Sequence, residues 1–292
     1  MTKHGKGISQ DVTLPHVALG DIRNRFHYQH QPLEPYLVGK EAEFTRYKAD
    51  STMPLKINGS DDGLLLYRLP GMDQKMLDTL HSTMNDLPVL KKNKNQKGID
   101  RGSYSASHLA VWCPYRRTPV LSSEFRKHEA AHRRFIEVNK AVWDRMTVAL
   151  GYVAPHVFED FQRYPLSSDT ERLCKAWCAC IVNRGGMDVE ATRAHRDVRE
   201  SQYGYSCLCS TGKYTGGALI LYELEVIIEM NPGDIIIFPD SLITHSNESV
   251  VGERNSVVCF TQENTIDYWA RQFNMELRRK NRSKSKKKDR RT

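Results

Sequence analysis

The chain has 292 residues, a formal net charge of +8 and 39% hydrophobic residues, so it can form one substantial core but not two full catalytic domains. Its seven cysteines are odd in number and contain no Cys-x-x-Cys pair, which argues against a disulfide framework and indicates a reducing compartment. No apolar stretch approaches membrane-spanning length and the N-terminus lacks the apolar core of a signal peptide, so we expect no membrane association.

The N-terminal part of the chain is predicted to hold a cap, mixed elements and a basic loop. Residues 1–62 have weak periodicity and scattered prolines, which is typical of an arm or irregular cap, and we place the start of the main domain at residue 63. Apolar patterns predict a strand over 63–69, a helix over 73–87 and a strand over 104–112. The polar stretch before the second strand predicts an exposed loop, whose candidates for contact with a phosphate backbone are Lys91, Lys92 and Lys94. A solvated loop without such a role is the alternative.

A long helix is predicted over residues 122–150, and a shorter one over 155–164. The long helix contains His128-Glu129-Ala-Ala-His132, a formal match to the zinc-peptidase motif, in which two histidines bind zinc and the glutamate is the general base. A catalytic zinc also needs a third protein ligand, and no recognisable motif supplies one. Both histidines fall on the apolar stripe of the helix, which favours core-facing side chains over a metal site.

Short strands with turn signals between them occupy the chain from residue 176 to residue 260. Their patterns predict strands over 176–182, 205–211, 218–222, 226–230, 235–238 and 256–260. Glycines within 213–217 and the sequence Asn231-Pro-Gly-Asp234 predict tight turns. Strands at this spacing are typical of a sandwich or barrel.

Three candidate metal ligands lie in this strand region. In an extended segment His195 and Asp197 leave the same face and can reach one ion, while Arg196 points away. If the sheet folds back on itself, His245 completes a set of two imidazoles and one carboxylate, which suits Fe(II) and leaves open coordination positions. The alternative is an ordinary strand-end histidine satisfied by a neighbouring carboxylate.

An arginine further along the chain completes a candidate cosubstrate site. The Arg254 guanidinium can bind the distal carboxylate of 2-oxoglutarate through two charge-assisted hydrogen bonds, with Ser256 beside it. The residue that holds the inner carboxylate stays open, with Asn183 and Arg193 as nearby candidates. Together with the metal ligands, this pattern predicts a Fe(II)/2-oxoglutarate oxygenase.

The C-terminal segment is predicted to be a helix over 265–282 that merges into a basic tail. Between Arg278 and Arg291 there are ten basic residues and one acidic residue, a net charge of +9, so the rest of the chain carries −1. Such a run is typical of a polyanion-binding arm, a nuclear localisation signal or a solubilising end. We expect the first two roles, and therefore a nuclear protein.

The sequences Ala194-His195-Arg-Asp197-Val and Arg254-x-Ser256 resemble those of the TET/JBP family of Fe(II)/2-oxoglutarate-dependent nucleic-acid base dioxygenases, including its fungal TET-like members. The resemblance covers roughly residues 170–265. It implies an α+β fold, in which a double-stranded β-helix (jelly roll) core carries N-terminal packing helices. The expected domain spans residues 63–272, and the cofactors implied are Fe(II), held by His195, Asp197 and His245, and 2-oxoglutarate.

The resemblance also implies three contacts to a base removed from its duplex. Five residues after the first histidine, relatives carry an Asn or Asp, and this chain has Glu200. Six and eight residues after the arginine, relatives carry a stacking aromatic and a histidine, and this chain has Phe260 and Gln262. Strand alternation places Phe260 and Gln262 on the face of Arg254. Glu200 and Gln262 depart from the family pattern, so the preferred base stays open, with 5-methylcytosine ahead of N6-methyladenine.

We therefore expect a monomeric enzyme that oxidises the methyl group of a base in methylated double-stranded DNA. Repeated turnover would convert 5-methylcytosine to its hydroxymethyl, formyl and carboxyl forms, whereas N6-methyladenine would be demethylated. Three alternatives are a protein side-chain hydroxylase of the same fold, a zinc metallopeptidase acting through His128, Glu129 and His132, and a non-catalytic nucleic-acid binder.

Overall fold

The computed structural model describes residues 9–29, 31–49, 52–88, 105–113, 118–163, 172–188 and 190–272. This part of the chain forms thirteen strands in two sheets, and seven α-helices. No helix within it is both long enough and apolar enough to cross a bilayer.

The larger sheet has nine strands. They are β1 Gln10–Leu14, β3 Leu55–Gly59, β4 Leu64–Leu69, β5 Ser105–Trp112, β6 Val120–Leu121, β7 Ala179–Met187, β8 Ser206–Gly216, β11 Ile235–Phe238 and β13 Val250–Phe260. Their spatial order is β1-β3-β4-β11-β8-β13-β7-β5-β6. Among the described strand pairs of this sheet, only β1–β3 is parallel.

The smaller sheet packs on one face of the larger one. Its strands, in spatial order, are β12 His245–Asn247, β9 Leu219–Leu221, β10 Val226–Ile228 and β2 Thr45–Tyr47. Ile236 and Phe238 of the larger sheet share a buried cluster with Leu221 and Ile228 of the smaller one. Two sheets that face each other across an apolar layer form a sandwich, the class of architecture to which the jelly roll belongs. The predicted α+β fold with a jelly-roll core is confirmed.

The described residues form seven helices, of which all but the first cover the opposite face of the larger sheet, whereas Leu19 and Ile22 of the first helix pack into the apolar layer between the sheets. The helices are α1 Leu19–Asn24, α2 Gln74–Asn85, α3 Ser123–Lys127, α4 Glu129–Val138, α5 Lys140–Val153, α6 Pro155–Arg163 and α7 Glu263–Gln272. In the main core, Trp143 and Met146 of α5 belong to the same buried cluster as Cys207 and Cys259 of the sheet. All seven cysteines are unpaired and buried, so they act as small apolar side chains.

The prediction of one helix over residues 122–150 is wrong, because the chain forms three helices there. His128 separates α3 from α4 with φ −129° and ψ 40°, and Asn139 separates α4 from α5 with φ −96° and ψ 18°. The Asn139 side chain donates to Phe135 O (2.8 Å) and to Thr83 Oγ1 (2.8 Å). Side-chain bonds of this kind compete with the helical backbone, which explains the second break.

Three short strands come from the region before residue 63. β1 and β3 extend the larger sheet beyond β4, and β2 pairs in parallel with β10. Weak periodicity does not predict them, because each is only three to five residues long. The domain boundary at residue 62 stays a prediction. The lysine-rich loop with Lys91, Lys92 and Lys94 and the basic tail 273–292 lie outside the described residues.

The turn predicted over residues 213–217 is shorter than expected. β8 continues to Gly216, and the turn is made by Gly216 and Gly217, whose φ angles are 77° and 69°. Side chains other than glycine rarely adopt such angles. A Cβ on Gly216 would lie 2.5 Å from Ser249 O, so both the angle and the space require glycine.

Candidate active site

Three side chains with metal-binding atoms meet at the edge of the smaller sheet. His245 begins β12, and the segment carrying His195 pairs with it through two backbone hydrogen bonds, His195 N to His245 O (3.0 Å) and His245 N to His195 O (2.9 Å). One ligand atom from each of His195, Asp197 and His245 lies within 4.8 Å of the others. The fold therefore brings together ligands that are far apart in sequence.

Both imidazoles are oriented for metal binding by backbone carbonyls. His195 Nδ1 is 2.7 Å from Arg193 O, and His245 Nδ1 is 3.0 Å from Ile243 O. A carbonyl only accepts hydrogen bonds, so each Nδ1 carries the proton and each Nε2 keeps its lone pair for a metal. Two such Nε2 atoms and one carboxylate are the donor set that Fe(II) takes in oxygenases. The residues therefore fit the ion.

A buried carboxylate holds the chain next to His245. The backbone N–H of Thr244 donates to Glu223 Oε2 (2.7 Å), and the Thr244 hydroxyl donates to Glu223 Oε1. Burial raises the pKa of Glu223 to about 7, although these hydrogen bonds and the nearby Arg196 act in the opposite direction. Glu223 thus fixes β12 where it supplies a metal ligand.

The Arg254 side chain is placed for anion binding on the inner face of β13. Its guanidinium carbon lies 5.6 Å from the centre of the Tyr214 ring, and its buried Nε has no hydrogen-bond partner among the described residues. A Cβ on Gly217 would lie 3.5 Å from Arg254 Cδ and Nε. The carbonyl of Gly217 accepts from Asn247, two residues after His245 on β12. An anion on Arg254 therefore lies on the same side of the fold as the metal ligands.

Ser256 and Asn183 lie beside each other on adjacent strands. Ser256 of β13 pairs with Asn183 of β7, and Ser256 is buried. The buried Oδ1 of Asn183 has no hydrogen-bond partner among the described residues. The other candidate for the inner carboxylate, Arg193, is exposed. These positions favour Asn183 over Arg193 as the additional cosubstrate contact.

Of the three expected base contacts, Glu200 lies beside the metal ligand Asp197. Glu200 and Gln262 form an isolated β-bridge, and Phe260 ends β13 against Ala110 and Ala179. Phe260 shares the face of Arg254 and Ser256, as strand alternation predicts. Gln262 lies beyond the end of β13, so its position comes from the bridge to Glu200 instead of from alternation.

Glu200 lies in an acidic pocket instead of projecting into open space. Its carboxylate accepts a hydrogen bond from Ser206 Oγ (2.5 Å), and its ligand atoms lie within 4.8 Å of those of Asp197 and Asp240. Burial, followed by the charges of Asp240 and Asp197, raises the pKa of Glu200 well above its usual value. The same environment raises the pKa of Asp240 to about 8. Glu200 therefore lies in a largely buried cluster of three carboxyl groups, one of which is the metal ligand Asp197.

The zinc-peptidase motif does not form a metal site. His132 is buried, and its Nδ1 lies 3.2 Å from Phe125 O. Glu129 is exposed and forms an ion pair with Arg133 (2.7 Å). Neither of the two metal-binding clusters found in the described part of the chain includes His128 or His132. His132 is a core-facing side chain, as its position on the apolar stripe predicts.

Sequence patterns do not reveal the residues that support the metal ligands. Glu223 and Thr244 have no motif, since their contact depends on the pairing of β9 with β12. Arg196 points away from the metal ligands, as predicted, but its partners in residues 27–31 carry no signal that connects them to it.

Comparisons with known proteins agree with this geometry. Residues 109–263 match the Tet_JBP family, described as the oxygenase domain of the 2OGFeDO superfamily. A structure of NgTET1 in complex with 5mC DNA is similar to this chain with a TM-score of 0.58 and 12% identity, covering 85% of this chain and 92% of that one. At this identity the likeness shows the fold alone. No curated protein sequence matches the chain.

Two further structures are more distant. An oxidoreductase of the 2OG-Fe(II) oxygenase family from Burkholderia pseudomallei has a TM-score of 0.40 and 13% identity, covering 87% of this chain and 94% of that one. A prolyl-4-hydroxylase from Pseudomonas putida has a TM-score of 0.37 and 11% identity, covering 68% and 92%.

The family match spans just over half of the chain and includes every residue of the metal and cosubstrate sites. The ligand set His195, Asp197 and His245 and the unpartnered Nε of Arg254 fit Fe(II) and 2-oxoglutarate, the cofactors of that superfamily. The chain belongs to the Tet_JBP family, and it is a Fe(II)- and 2-oxoglutarate-dependent oxygenase.

Proposed function

We propose that the chain oxidises the methyl group of 5-methylcytosine in double-stranded DNA, with N6-methyladenine as the second candidate base. The observation that carries this proposal is the position of Glu200 beside the metal ligand Asp197, with Gln262 bridged to Glu200 and Phe260 two residues before Gln262 at the end of β13. An aromatic face beside groups that donate and accept hydrogen bonds suits a nucleobase removed from its duplex. The structural likeness to NgTET1 with 5mC DNA is consistent with this choice.

Each side chain has a defined task in the reaction. When bound, Fe(II) and 2-oxoglutarate supply the oxidising power for attack on a C–H bond. His195, Asp197 and His245 would hold the metal. Arg254 and Ser256 orient the distal carboxylate of 2-oxoglutarate, and Asn183 is placed to contact its inner end. Burial of these groups excludes water from the reacting atoms.

The substrate residues then determine which methyl group reaches the metal. Phe260 supports one face of the base, while Glu200 and Gln262 hydrogen-bond its polar edge. Cytosine and N6-methyladenine both present a ring nitrogen that accepts beside an exocyclic amine that donates, so Glu200 and Gln262 can hydrogen-bond either base. The family match and the likeness to NgTET1 with 5mC DNA place 5-methylcytosine first.

The basic segments outside the described residues support the same partner. Lys91, Lys92 and Lys94 and the tail between Arg278 and Arg291 would neutralise phosphates and add salt-dependent affinity without sequence preference. The tail is also a candidate nuclear localisation signal, and we propose a nuclear, monomeric enzyme.

The test is mass spectrometry of nucleosides after incubation with Fe(II), 2-oxoglutarate and duplexes that contain 5-methylcytosine, N6-methyladenine or neither. We expect oxidised 5-methylcytosine, and at least about a 100-fold loss of product in His245→Ala because a metal ligand is missing. His132→Gln, a buried histidine outside the site, is the matched control and should retain turnover. Succinate formation without any oxidised base would contradict the proposal and favour a protein substrate.

A further inference from the structure

A segment from the N-terminal region is fastened to the peptide that carries two of the metal ligands. We call residues 26–29 and 31–33 the strap. The fully buried Arg196, between His195 and Asp197 in sequence, donates to Gln29 O (2.7 Å) and Gln31 O (3.2 Å). Its guanidinium also contacts the carbonyl of His27 (3.4 Å). One side chain thus fixes three carbonyls of the strap directly behind the metal ligands.

The strap is fastened at its other end to the second ligand-bearing segment. Leu33 N donates to Thr244 Oγ1 (3.2 Å), and Thr244 immediately precedes His245. Because both ends are held by buried groups, the strap is a fixed wall of the site instead of a free arm. Its side chains therefore have defined positions relative to the metal.

Tyr28 is the exposed aromatic residue that this wall presents. It retains 69% of its accessible surface. Its ring packs edge-on against Phe26 with the centroids 5.1 Å apart, and its hydroxyl accepts from Gln202 Nε2 (3.4 Å). Gln202 lies two residues after Glu200, which is one of the proposed base contacts. Tyr28 is therefore an exposed ring that contacts a residue close in sequence to the proposed base pocket.

The surface next to Tyr28 is also cationic. The Arg23 guanidinium lies 4.7 Å from the centre of the Tyr203 ring and donates to Gln202 O (3.1 Å). Arg199 is exposed one residue before Glu200. Arg23 and Tyr28 both contact Gln202, so a guanidinium and an exposed aromatic ring lie beside the same residue, and these are groups that bind phosphates and bases.

We propose that Tyr28 stacks on the nucleotide that flanks the flipped base, so that the strap forms the part of the DNA interface that keeps the duplex open. This inference rests on the proposed function. Removal of a base from a duplex leaves an unstacked neighbour, and proteins that distort DNA commonly cover such a neighbour with an apolar or aromatic side chain. The ring of Tyr28 meets that need, because most of it is exposed while its backbone is anchored.

The experiment measures binding of the full-length protein, with Mn(II) and N-oxalylglycine bound to prevent turnover, to a fluorescein-labelled duplex containing one 5-methylcytosine. Loss of one stacking contact weakens binding by roughly tenfold, so we expect that increase in Kd for Tyr28→Ala. Tyr28→Phe keeps the ring and should stay within about twofold of the wild type. Tyr152→Ala removes an equally exposed tyrosine (72%) from α5 in the helical layer, and its Kd should not change.

A second readout separates stacking from general affinity. A 2-aminopurine placed next to the methylcytosine reports local unstacking, and its fluorescence should differ between Tyr28→Ala and Tyr28→Phe complexes at saturating protein. If the wild type oxidises the duplex while Tyr28→Ala binds it equally well with the same 2-aminopurine signal, the role of Tyr28 is wrong and the proposed function stands. If binding depends on Tyr28 but no base is oxidised, the proposed role of Tyr28 in DNA binding is supported and the proposed function is contradicted. A wild type that neither binds nor oxidises the duplex would overturn both.

Discussion

The two metal-binding histidines are oriented by carbonyls in their own chain segments. Each Nδ1 bonds to the carbonyl two residues earlier, Arg193 O for His195 and Ile243 O for His245. The ligand tautomer is therefore set locally, and it needs no distant side chain. Glu223 has a different task, because it binds the backbone N–H of Thr244 from the helical turn that follows β9. We therefore expect Glu223 to affect the free energy of unfolding.

Glu223 predicts a specific dependence of stability on pH. Burial raises its folded-state pKa to about 7, whereas an unfolded glutamate titrates near 4.5. The folded state therefore binds this proton more tightly, so its contribution to stability is full below about pH 4.5 and is lost as the pH rises through about 7. Glu223→Gln cannot ionise. The difference in unfolding free energy between the wild type and this variant should therefore shift against the wild type by about 3 kcal/mol between pH 4.5 and pH 8.

Urea unfolding of the metal-free protein at several pH values measures this difference. Glu225→Gln is the control, since Glu225 is exposed two residues along the chain, and its curve should run parallel to that of the wild type. An unfolding free energy whose pH dependence is the same in Glu223→Gln and the wild type would show that folding does not raise the pKa of Glu223.

The pairing of β8 with β13 places the cosubstrate arginine. Arg254 is opposite Gly212, which has a φ of 110°, and a Cβ on Gly212 would lie 2.1 Å from Glu253 O. Gly212→Ala must therefore push β13 away at the residue that precedes Arg254. We expect the Kd for 2-oxoglutarate to rise by about tenfold and the stability to fall by roughly 2 kcal/mol. Mn(II) affinity should change little, because the metal ligands lie on other segments.

The matched control for this variant is Gly39→Ala. Gly39 also has a positive φ (93°), but nothing lies within 4 Å of the position of its Cβ. It should lose about 1 kcal/mol from the backbone conformation alone and keep its 2-oxoglutarate affinity. Equal 2-oxoglutarate affinity in Gly212→Ala and the wild type, measured by calorimetry with Mn(II) present, would refute the proposed link between this pair and Arg254.

The sequence predicts well those strands and helices whose residues form a strong local hydrophobic pattern. The apolar run Ile235–Phe238 is a buried strand with the predicted bounds, because continuous burial leaves a clear signal. The break at Asn139 has no such signal, since it depends on a bond to Thr83 of another helix. Short edge strands such as β1 are also missed, because pairing with β3 stabilises them more than their own composition does.

At the scale of the molecule, the metal ligands can be found from a local sequence pattern, whereas the residues that hold those ligands in place cannot. His195 and Asp197 are two residues apart, so strand geometry alone puts them on one face. The contact of Arg196 with the His27 ring joins residues 169 positions apart, and no local pattern encodes such a distance. A motif can therefore identify the chemistry, whereas the wall that surrounds it becomes visible only when the chain is folded.

This dependence on distant segments leads to a prediction about the whole molecule. A fragment of residues 63–272 would contain the predicted oxygenase domain, but it lacks β1, β2 and β3 and the strap. In this fragment β4 would become an unprotected edge strand. Leu65 and Leu66 of β4 are fully buried in the complete chain, and they would lose apolar neighbours. Arg196 would lose its carbonyl partners. Unsatisfied buried groups and exposed apolar surface each cost several kcal/mol, which is comparable to the whole stability of a domain.

We therefore expect the 63–272 fragment to show no cooperative urea transition by circular dichroism. A fragment of residues 9–272 keeps all thirteen strands, and it should unfold cooperatively with a midpoint close to that of the full chain. A sharp transition of 63–272 at the same midpoint would mean that the N-terminal segment is a dispensable cap. In that case the three early strands would contribute little to the sheets, and the strap could be removed without loss of the metal site.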